Sequence, residues 1–227
     1  MIPTPSTSHL KAKDFESVYE PAEDTFILLD ALEQDADLLK PSKVCVEIGS
    51  GSGCVSAFLG AICGGSSALY LCTDLNPHAT RCTLETGLAN KVPLDPVLTN
   101  LTASLVPRLT HAVDVLVFNP PYVETEEEEV DDAQADGTIE KAWAGGQGGM
   151  KVTNRVLEQV DELLSPRGMF YLVAVPQNKP LEILAQMKER GLEGEVTLKR
   201  RAGREHLHVL RFWRSTHPDL SGPVHRS

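Results

Sequence analysis

Asn119-Pro120-Pro121-Tyr122 is the segment of this 227-residue chain whose residue types most directly imply a reaction. A side-chain amide next to a proline carbonyl offers two hydrogen-bond acceptors. Two consecutive prolines fix φ and remove N–H donors that would compete for position. Two acceptors held off the plane of an amide or exocyclic amino group favour a pyramidal nitrogen, which frees a delocalised lone pair for attack. Tyr122 adds a flat face for a planar substrate group. Asn119, Pro120 and Tyr122 are therefore the candidate catalytic residues, and the candidate substrate-binding segment is Asn119, Pro120, Pro121, Tyr122 and Val123.

A second constellation lies upstream. Gly49-Ser50-Gly51-Ser52-Gly53 follows the β-rich run Val44–Ile48 and precedes an apolar helical stretch beginning at Cys54. Glycine allows a sharp turn and close approach of a ligand to the backbone. The spacing does not match the dinucleotide fingerprint G-x-G-x-x-G, and no G-K-[ST] follows. Asp74 closes the next strand, 21 residues beyond Gly53, where a carboxylate can accept both ribose hydroxyls of a nucleoside. Glu47 sits inside the first strand. Its charge would repel a pyrophosphate and attract a cation. That sign favours S-adenosylmethionine, a sulfonium without phosphate, over NAD. Glu47, Gly49, Gly51, Gly53 and Asp74 are the candidate cofactor residues.

These residues must be positioned by alternating strands and helices. Helical spacing begins after Tyr19 and extends to Leu39. Strand Val44–Ile48 leads to a helix at 54–62, strand 68–73 to a helix from Pro77 to about Asn90, and strand 97–101 to the strong strand Val113–Phe118. A helix over 150–164, a strand over 169–175 and a helix over 180–190 follow, and 196–200 with 208–212 form a closing antiparallel pair. Such alternation predicts a mostly parallel sheet with helices on both faces. Ligands bind such sheets outside the carboxyl ends of the strands, where all the residues named above fall. Residues 1–17 read as a flexible lead-in, 18–214 as one domain, and 215–227 as a flexible tail.

Composition bounds the partners. With 21 basic and 32 acidic residues the net charge is −11, which argues against broad phosphate neutralisation of a duplex. Seven acidic residues crowd into 124–132; the remainder of the chain holds 25 acidic against 21 basic residues. That segment directly follows Tyr122 and would draw basic targets toward it, or form a solvated loop. Cys45, Cys54, Cys63, Cys72 and Cys82 contain no C-x-x-C and read as buried thiols rather than a disulfide framework or zinc knuckle. His206 and His208 lack a third ligand, so no metal is expected. Lys199, Arg200, Arg201 and Arg204 form a basic cluster that reads as a solvated turn or a contact for an RNA-bearing partner. No uncharged apolar stretch of about 18 residues occurs, so no membrane-spanning helix is expected. The N-terminus lacks the basic head and apolar core of a signal peptide.

Val44–Gly53 resembles the first motif of class I S-adenosylmethionine-dependent methyltransferases, and Asn119–Tyr122 resembles the [DN]-P-P-[YFW] motif of those acting on planar nitrogens. Val18–Thr25 and Ala142-Trp143-Ala144-Gly145-Gly146 narrow the resemblance to the HemK-type glutamine methyltransferases of peptide release factors, in their eukaryotic and archaeal branch. The resemblance spans about 18–212. It implies a Rossmann-like α/β fold with a seven-stranded sheet and a C-terminal antiparallel strand. It implies methyl transfer to the glutamine of a Gly-Gly-Gln motif in release factor one, with histone lysine, including histone H4, as a further substrate. It implies cofactor contacts at Thr25, Glu47, Gly49, Asp74, Asn100, Leu101 and Asn119. The family usually carries Asp where this chain has Asn100, which can still accept from the adenine amino group. It also implies a small zinc-binding activator subunit on the sheet edge near Val97–Leu101, and a cytoplasmic and nuclear location. The competing readings are a nucleic-acid N6-adenine methyltransferase, which shares the N-P-P-Y string, and a non-catalytic binding subunit.

Overall fold

The computed structural model describes residues 1–122, 149–203 and 205–220. Val123, the acidic run 124–132, the 142–146 motif, Arg204 and the last seven residues lie outside the described residues.

A seven-stranded sheet in the order β3-β2-β1-β4-β5-β7-β6 forms the centre. Strands β1 (Val44–Ile48), β2 (Leu69–Asp74), β3 (Leu94–Leu98), β4 (Val113–Phe118) and β5 (Leu164–Ala174) run parallel to one another. β7 (Glu205–Arg214) runs antiparallel to both β5 and β6 (Leu192–Ala202). This is the expected doubly wound architecture with an antiparallel end. Apolar side chains on one face of the sheet pack with α1 (Glu23–Gln34) and α3 (Cys54–Cys63). The other face packs with α6 (Lys151–Leu157), α7 (Val160–Leu163) and α8 (Pro180–Glu189). α2 (Ala36–Leu39) packs with the first of these faces, α4 (Pro77–Asn90) contacts β2, β3 and α3, and α5 (Val106–Leu109) packs against the second face. The five cysteines are free and buried, and four of them, 45, 54, 63 and 72, share the first core cluster.

Chain order reverses between β1 and β4, which are neighbours in register from Cys45↔Val115 to Ile48↔Phe118. The loops leaving their carboxyl ends therefore diverge and leave a crevice, the usual ligand position in an open α/β sheet.

Several boundaries differ from expectation; the closing pair, expected over 196–200 and 208–212, spans Leu192–Ala202 and Glu205–Arg214. β3 covers Leu94–Leu98 rather than 97–101, so Asn100 and Leu101 sit in the turn after it. Pro96 hid the start, because proline is excluded from central strands but tolerated at an edge. β5 begins at Leu164, with Ser165–Gly168 taken up in a register shift against β4. The helix expected over 150–164 is two pieces, α6 and α7.

Residues 1–17 are not a free lead-in. Leu10 is buried with Val18, Ala79 and Cys82, Ser6 N–H donates to Asn90 Oδ1 at 2.8 Å, and Asn76 Nδ2 donates to the Ser17 carbonyl at 2.7 Å. The described part of the tail is anchored too: His217 is buried and Arg167 pairs with Asp219. Small apolar and amide contacts scattered through polar segments carry no periodic signal, so sequence patterning misses them.

Candidate active site

A cavity of about 500 Å³ opens at the β1–β4 crevice, within the size range of small-ligand sites. Thr25, Glu47, Gly49, Gly51, Asp74, Asn100, Leu101, Asn119, Pro120, Pro121 and Tyr122 all line it. One candidate does not. Gly53 turns toward α4, where a Cβ would lie 2.8 Å from Thr83 Cα. With φ at +77° it closes the turn into α3. Its glycine is required by helix packing and backbone conformation.

The β1 loop is held from below. Gly49 N–H donates to the Thr73 carbonyl at 2.8 Å, and Gly51 N–H donates to Asp74 Oδ2 at 3.0 Å. Asp74 Oδ1 accepts from Asn76 N–H at 2.9 Å, while Asn76, not Asp74, caps α4. Asp74 thus fixes the glycine loop while its carboxylate faces the cavity. Burial raises its pKa, and backbone N–H donors, led by Asn76 and Gly51, oppose that rise.

Glu47 is buried at the cavity floor. Ser56 N–H and Oγ both donate to its Oε2, at 2.9 and 2.5 Å. Burial pushes its pKa up to about 8; Ser56 opposes the rise and the Asp74 charge adds to it. A buried carboxyl in this state is stabilised by any cation placed beside it. Leu101 holds φ at +51° on the cavity wall, an uncommon conformation for a bulky side chain. Beside it, Arg155 Nη2 donates to Asn100 Oδ1 at 3.4 Å.

At the other end, Asp24 organises the site. It is buried at the start of α1 and accepts at Oδ1 from Thr25 N–H (2.7 Å) and Tyr19 OH (3.1 Å), and at Oδ2 from Asn119 Nδ2 (2.9 Å) and Tyr122 OH (3.3 Å). Because Asn119 Nδ2 must face this carboxylate, its Oδ1 points the other way. That oxygen is buried and has no hydrogen-bond partner. Burial, then the Asp24 charge, raises both phenol pKa values, so Tyr19 and Tyr122 remain neutral donors. Behind Tyr122, Asn178 Nδ2 donates to its carbonyl at 3.3 Å while Asn178 Oδ1 accepts from Val175 N–H at 2.9 Å. Gly149 packs so closely that a Cβ would lie 2.1 Å from the same carbonyl oxygen.

Sequence reasoning missed Asp24, Tyr19, Arg155, Asn178 and Gly149. Asp24 and Tyr19 lie inside the Val18–Thr25 motif, where the acid reads equally well as a partner for the helix dipole. Among the described residues, one trio has metal-ligating types, Asp14, His78 and Cys82. None of the three lines the cavity. Arg81 Nη2 contacts both Asp14 Oδ1 and His78 at 3.1 Å, so a guanidinium already sits on that trio.

Sheet order, crevice and lining together define a Rossmann-like methyltransferase. The family model described as Methyltransferase small domain matches residues 20–144. The chain is 54% identical over 212 residues to Methyltransferase HEMK2 of Homo sapiens, covering 93% of this chain and 97% of that protein. It is 43% identical over 225 residues to the eRF1 methyltransferase catalytic subunit mtq2 of Schizosaccharomyces pombe, covering 94% and 96%. Among solved structures, a chain of the E. cuniculi Mtq2–Trm112 complex, described as responsible for methylation of the eRF1 translation termination factor, superposes with a TM-score of 0.66 at 28% identity, covering 88% of this chain and 99% of that one. This chain belongs to the HEMK2 family of HemK-like class I methyltransferases.

Proposed function

We propose that this chain binds S-adenosylmethionine and methylates the side-chain amide nitrogen of the glutamine in the Gly-Gly-Gln motif of eukaryotic release factor one, as the catalytic subunit of a heterodimer. The observation that carries the reading is the orientation of Asn119, a cavity-lining residue: Nδ2 is committed to Asp24, and Oδ1 is buried and unpartnered.

The cavity fits the cofactor. Asp74 and the Gly49–Gly51 backbone would take the ribose side, Asn100 and Leu101 the base, and Glu47 with Thr25 the charged end. The cofactor supplies an electrophilic methyl group on a cationic sulfur. An amide nitrogen whose lone pair is localised needs no prior deprotonation to attack: the nitrogen–methyl bond would form as the sulfur–methyl bond breaks, and the methylated nitrogen would then lose one of its two protons to solvent. Asn119 Oδ1 and the Pro120 carbonyl accept its two N–H groups and hold the lone pair toward the cofactor side. Acceptors aimed at charge that develops in the transition state contribute about 2–4 kcal/mol each, and fixed alignment of the reacting atoms adds more. Tyr122 packs against the planar amide. Its own OH is tied to Asp24, which keeps the ring in place.

The relatives' names support the release-factor reading. The cavity wall opposes the nucleic-acid alternative: among the described residues it carries Asp24, Glu47, Asp74 and Glu205 against a single basic side chain, Arg155. The partner reading rests on β3, an edge strand with Leu98 59% exposed and, nearby on α4, Leu88 73% exposed. An unpaired edge next to exposed apolar side chains suits an added strand from a small activator protein.

The test is co-expression with a Trm112-type protein, labelled S-adenosylmethionine, and release factor one, histone H4 and DNA offered separately. Label on release factor one, lost when its Gly-Gly-Gln glutamine is replaced by alanine, is expected. Label confined to DNA or histone would overturn the reading.

A further inference from the structure

The β6–β7 hairpin carries a basic face that the site chemistry leaves unused. Lys199 stands directly opposite His208, and Arg201 opposite His206. Directly opposed residues share one face of a sheet, and side chains two apart along a strand point the same way. These four side chains therefore form one ladder. The alternate positions point the other way: Leu207 and Val209 are buried in the first core, Leu198 and Ala202 pack against it, and Arg200 pairs with Asp30 of α1. Glu205, which lines the cavity, stands opposite Ala202 and belongs to that other side. The ladder lies on the side of the second core, where His208 is opposite Ala174 of β5. α8 packs farther along this face, with Leu184 against Gly194, and Lys199, Arg201 and His206 are exposed.

No acid among the described residues neutralises this ladder. Two other arginines of the same strand pair are neutralised, Arg200 by Asp30 and Arg211 by Asp35 and Glu195. Lys199 and Arg201 have no such partner among the described residues. Arg201 Nε donates to the Gly203 carbonyl at 3.2 Å, which leaves the Nη edge of the guanidinium for a ligand. Burial lowers the His208 pKa, the Lys199 and His206 charges add to that, and a bond to the His206 carbonyl opposes it. No carboxylate is among the groups acting on that ring. Like charges placed directly opposite one another destabilise a strand pair, so a row of this kind gains from an anion laid along it.

Charge and position narrow the partner. The chain's net charge is −11, so a free polyanion such as RNA is repelled at long range, and the fixed cations Lys199 and Arg201 are too few to offset that by counterion release. An acidic segment of a substrate already held at the crevice meets a lower barrier, because tethering raises its effective concentration to about the millimolar range. The ladder faces away from the crevice side of the hairpin, so its ligand is not a neighbour of the acceptor residue. We infer that Lys199, Arg201, His206 and His208 form an exosite that docks an acidic segment of the folded polypeptide substrate, remote from the residue being methylated. The inference rests on the protein-substrate reading above and extends it: a folded substrate is held at two places, a short peptide at one.

The test uses the catalytic chain co-expressed with its activator, with folded release factor one and a short Gly-Gly-Gln peptide as alternative substrates. Substrate binding is read by calorimetry, and methyl transfer is followed in parallel. Lys199→Gln combined with Arg201→Gln should weaken binding of release factor one and raise its KM by roughly 3- to 10-fold, the range of two partly exposed charge pairs. Its kcat, the peptide kinetics and S-adenosylmethionine affinity should stay unchanged. Lys199→Glu combined with Arg201→Glu should deepen the loss on the folded protein alone. Added salt should weaken binding of release factor one more steeply for the parent than for the glutamine variant. Equal losses on protein and peptide, or no loss on either, overturn the proposal. Binding of a fluorescent single-stranded RNA that the glutamine variant loses, at unchanged KM for release factor one, also overturns it and assigns the ladder to RNA. Ladder-dependent binding of release factor one without methyl transfer to it would support the exosite and overturn the glutamine reading instead.

Discussion

Asn119 Nδ2 donates to Asp24 Oδ2 at 2.9 Å across 95 positions of sequence. An amide side chain has two ends of nearly equal shape, and this bond decides which end meets the substrate. It joins the first turn of α1 to the end of β4, so the acceptor is oriented by the domain's own architecture.

Asp24→Ala should leave Asn119 free to rotate and strand the donors of Tyr19 and Tyr122. A drop in kcat of about 10²-fold is expected from a misplaced reacting group. A buried donor left unsatisfied costs about 1–3 kcal/mol, visible as a lower Tm. Normal turnover of purified Asp24→Ala enzyme would show that Asn119 needs no such anchor.

Gly149→Ala tests the packing behind Tyr122. Its φ of +68° and a Cβ 2.1 Å from the Tyr122 carbonyl leave no room. The Tyr122 backbone or the chain at 149 must move, at a cost of about 1–3 kcal/mol. Thermal denaturation should show that loss, and steady-state kinetics should show a fall in kcat larger than any change in cofactor affinity.

Gly53→Ala separates structure from ligand binding. The added Cβ meets Thr83 backbone at 2.8 Å, so Tm should fall. Calorimetry on the folded protein should give nearly unchanged cofactor affinity, because Gly53 does not line the cavity. A selective loss of affinity at unchanged Tm would return Gly53 to the ligand site.

Glu47 sets a pH dependence. Its folded pKa of about 8 stands above the ordinary 4.5, so the folded state holds its proton more tightly than the unfolded state. Its contribution to stability is fully present below about pH 4.5 and is lost as pH rises through about 8. A cation beside Glu47 favours the carboxylate. Binding of S-adenosylmethionine should therefore release protons, and its affinity should rise between pH 6 and 8. Calorimetry in buffers of different ionisation enthalpy measures this directly. Glu47→Gln should flatten the profile; an equally steep profile in that variant would assign the proton to another group.

Much of this was legible in sequence. Val44–Ile48 and Val113–Phe118 are short apolar runs closed by Gly49 and Asn119, and such punctuation marks where a parallel strand reaches its ligand-bearing end. What stayed hidden depends on contacts between distant segments. The Asp24 to Asn119 bond, the Gly149 approach to Tyr122 and the docking of Leu10 under α4 leave no periodic trace. Pro96 misled for a different reason: whether proline disqualifies a strand depends on its place in the sheet, and that is a tertiary fact.

The central claim is that the unpartnered oxygen of Asn119 positions the nitrogen being methylated. The most direct measurement is methyl transfer to the glutamine of Gly-Gly-Gln by Asn119→Ala enzyme, with S-adenosylmethionine binding followed by calorimetry in the same preparation. Transfer should fall by about 10²–10³-fold, as on removal of one preorganised transition-state contact, while cofactor binding stays measurable. Turnover within a few-fold of the parent, with cofactor bound, would contradict the account.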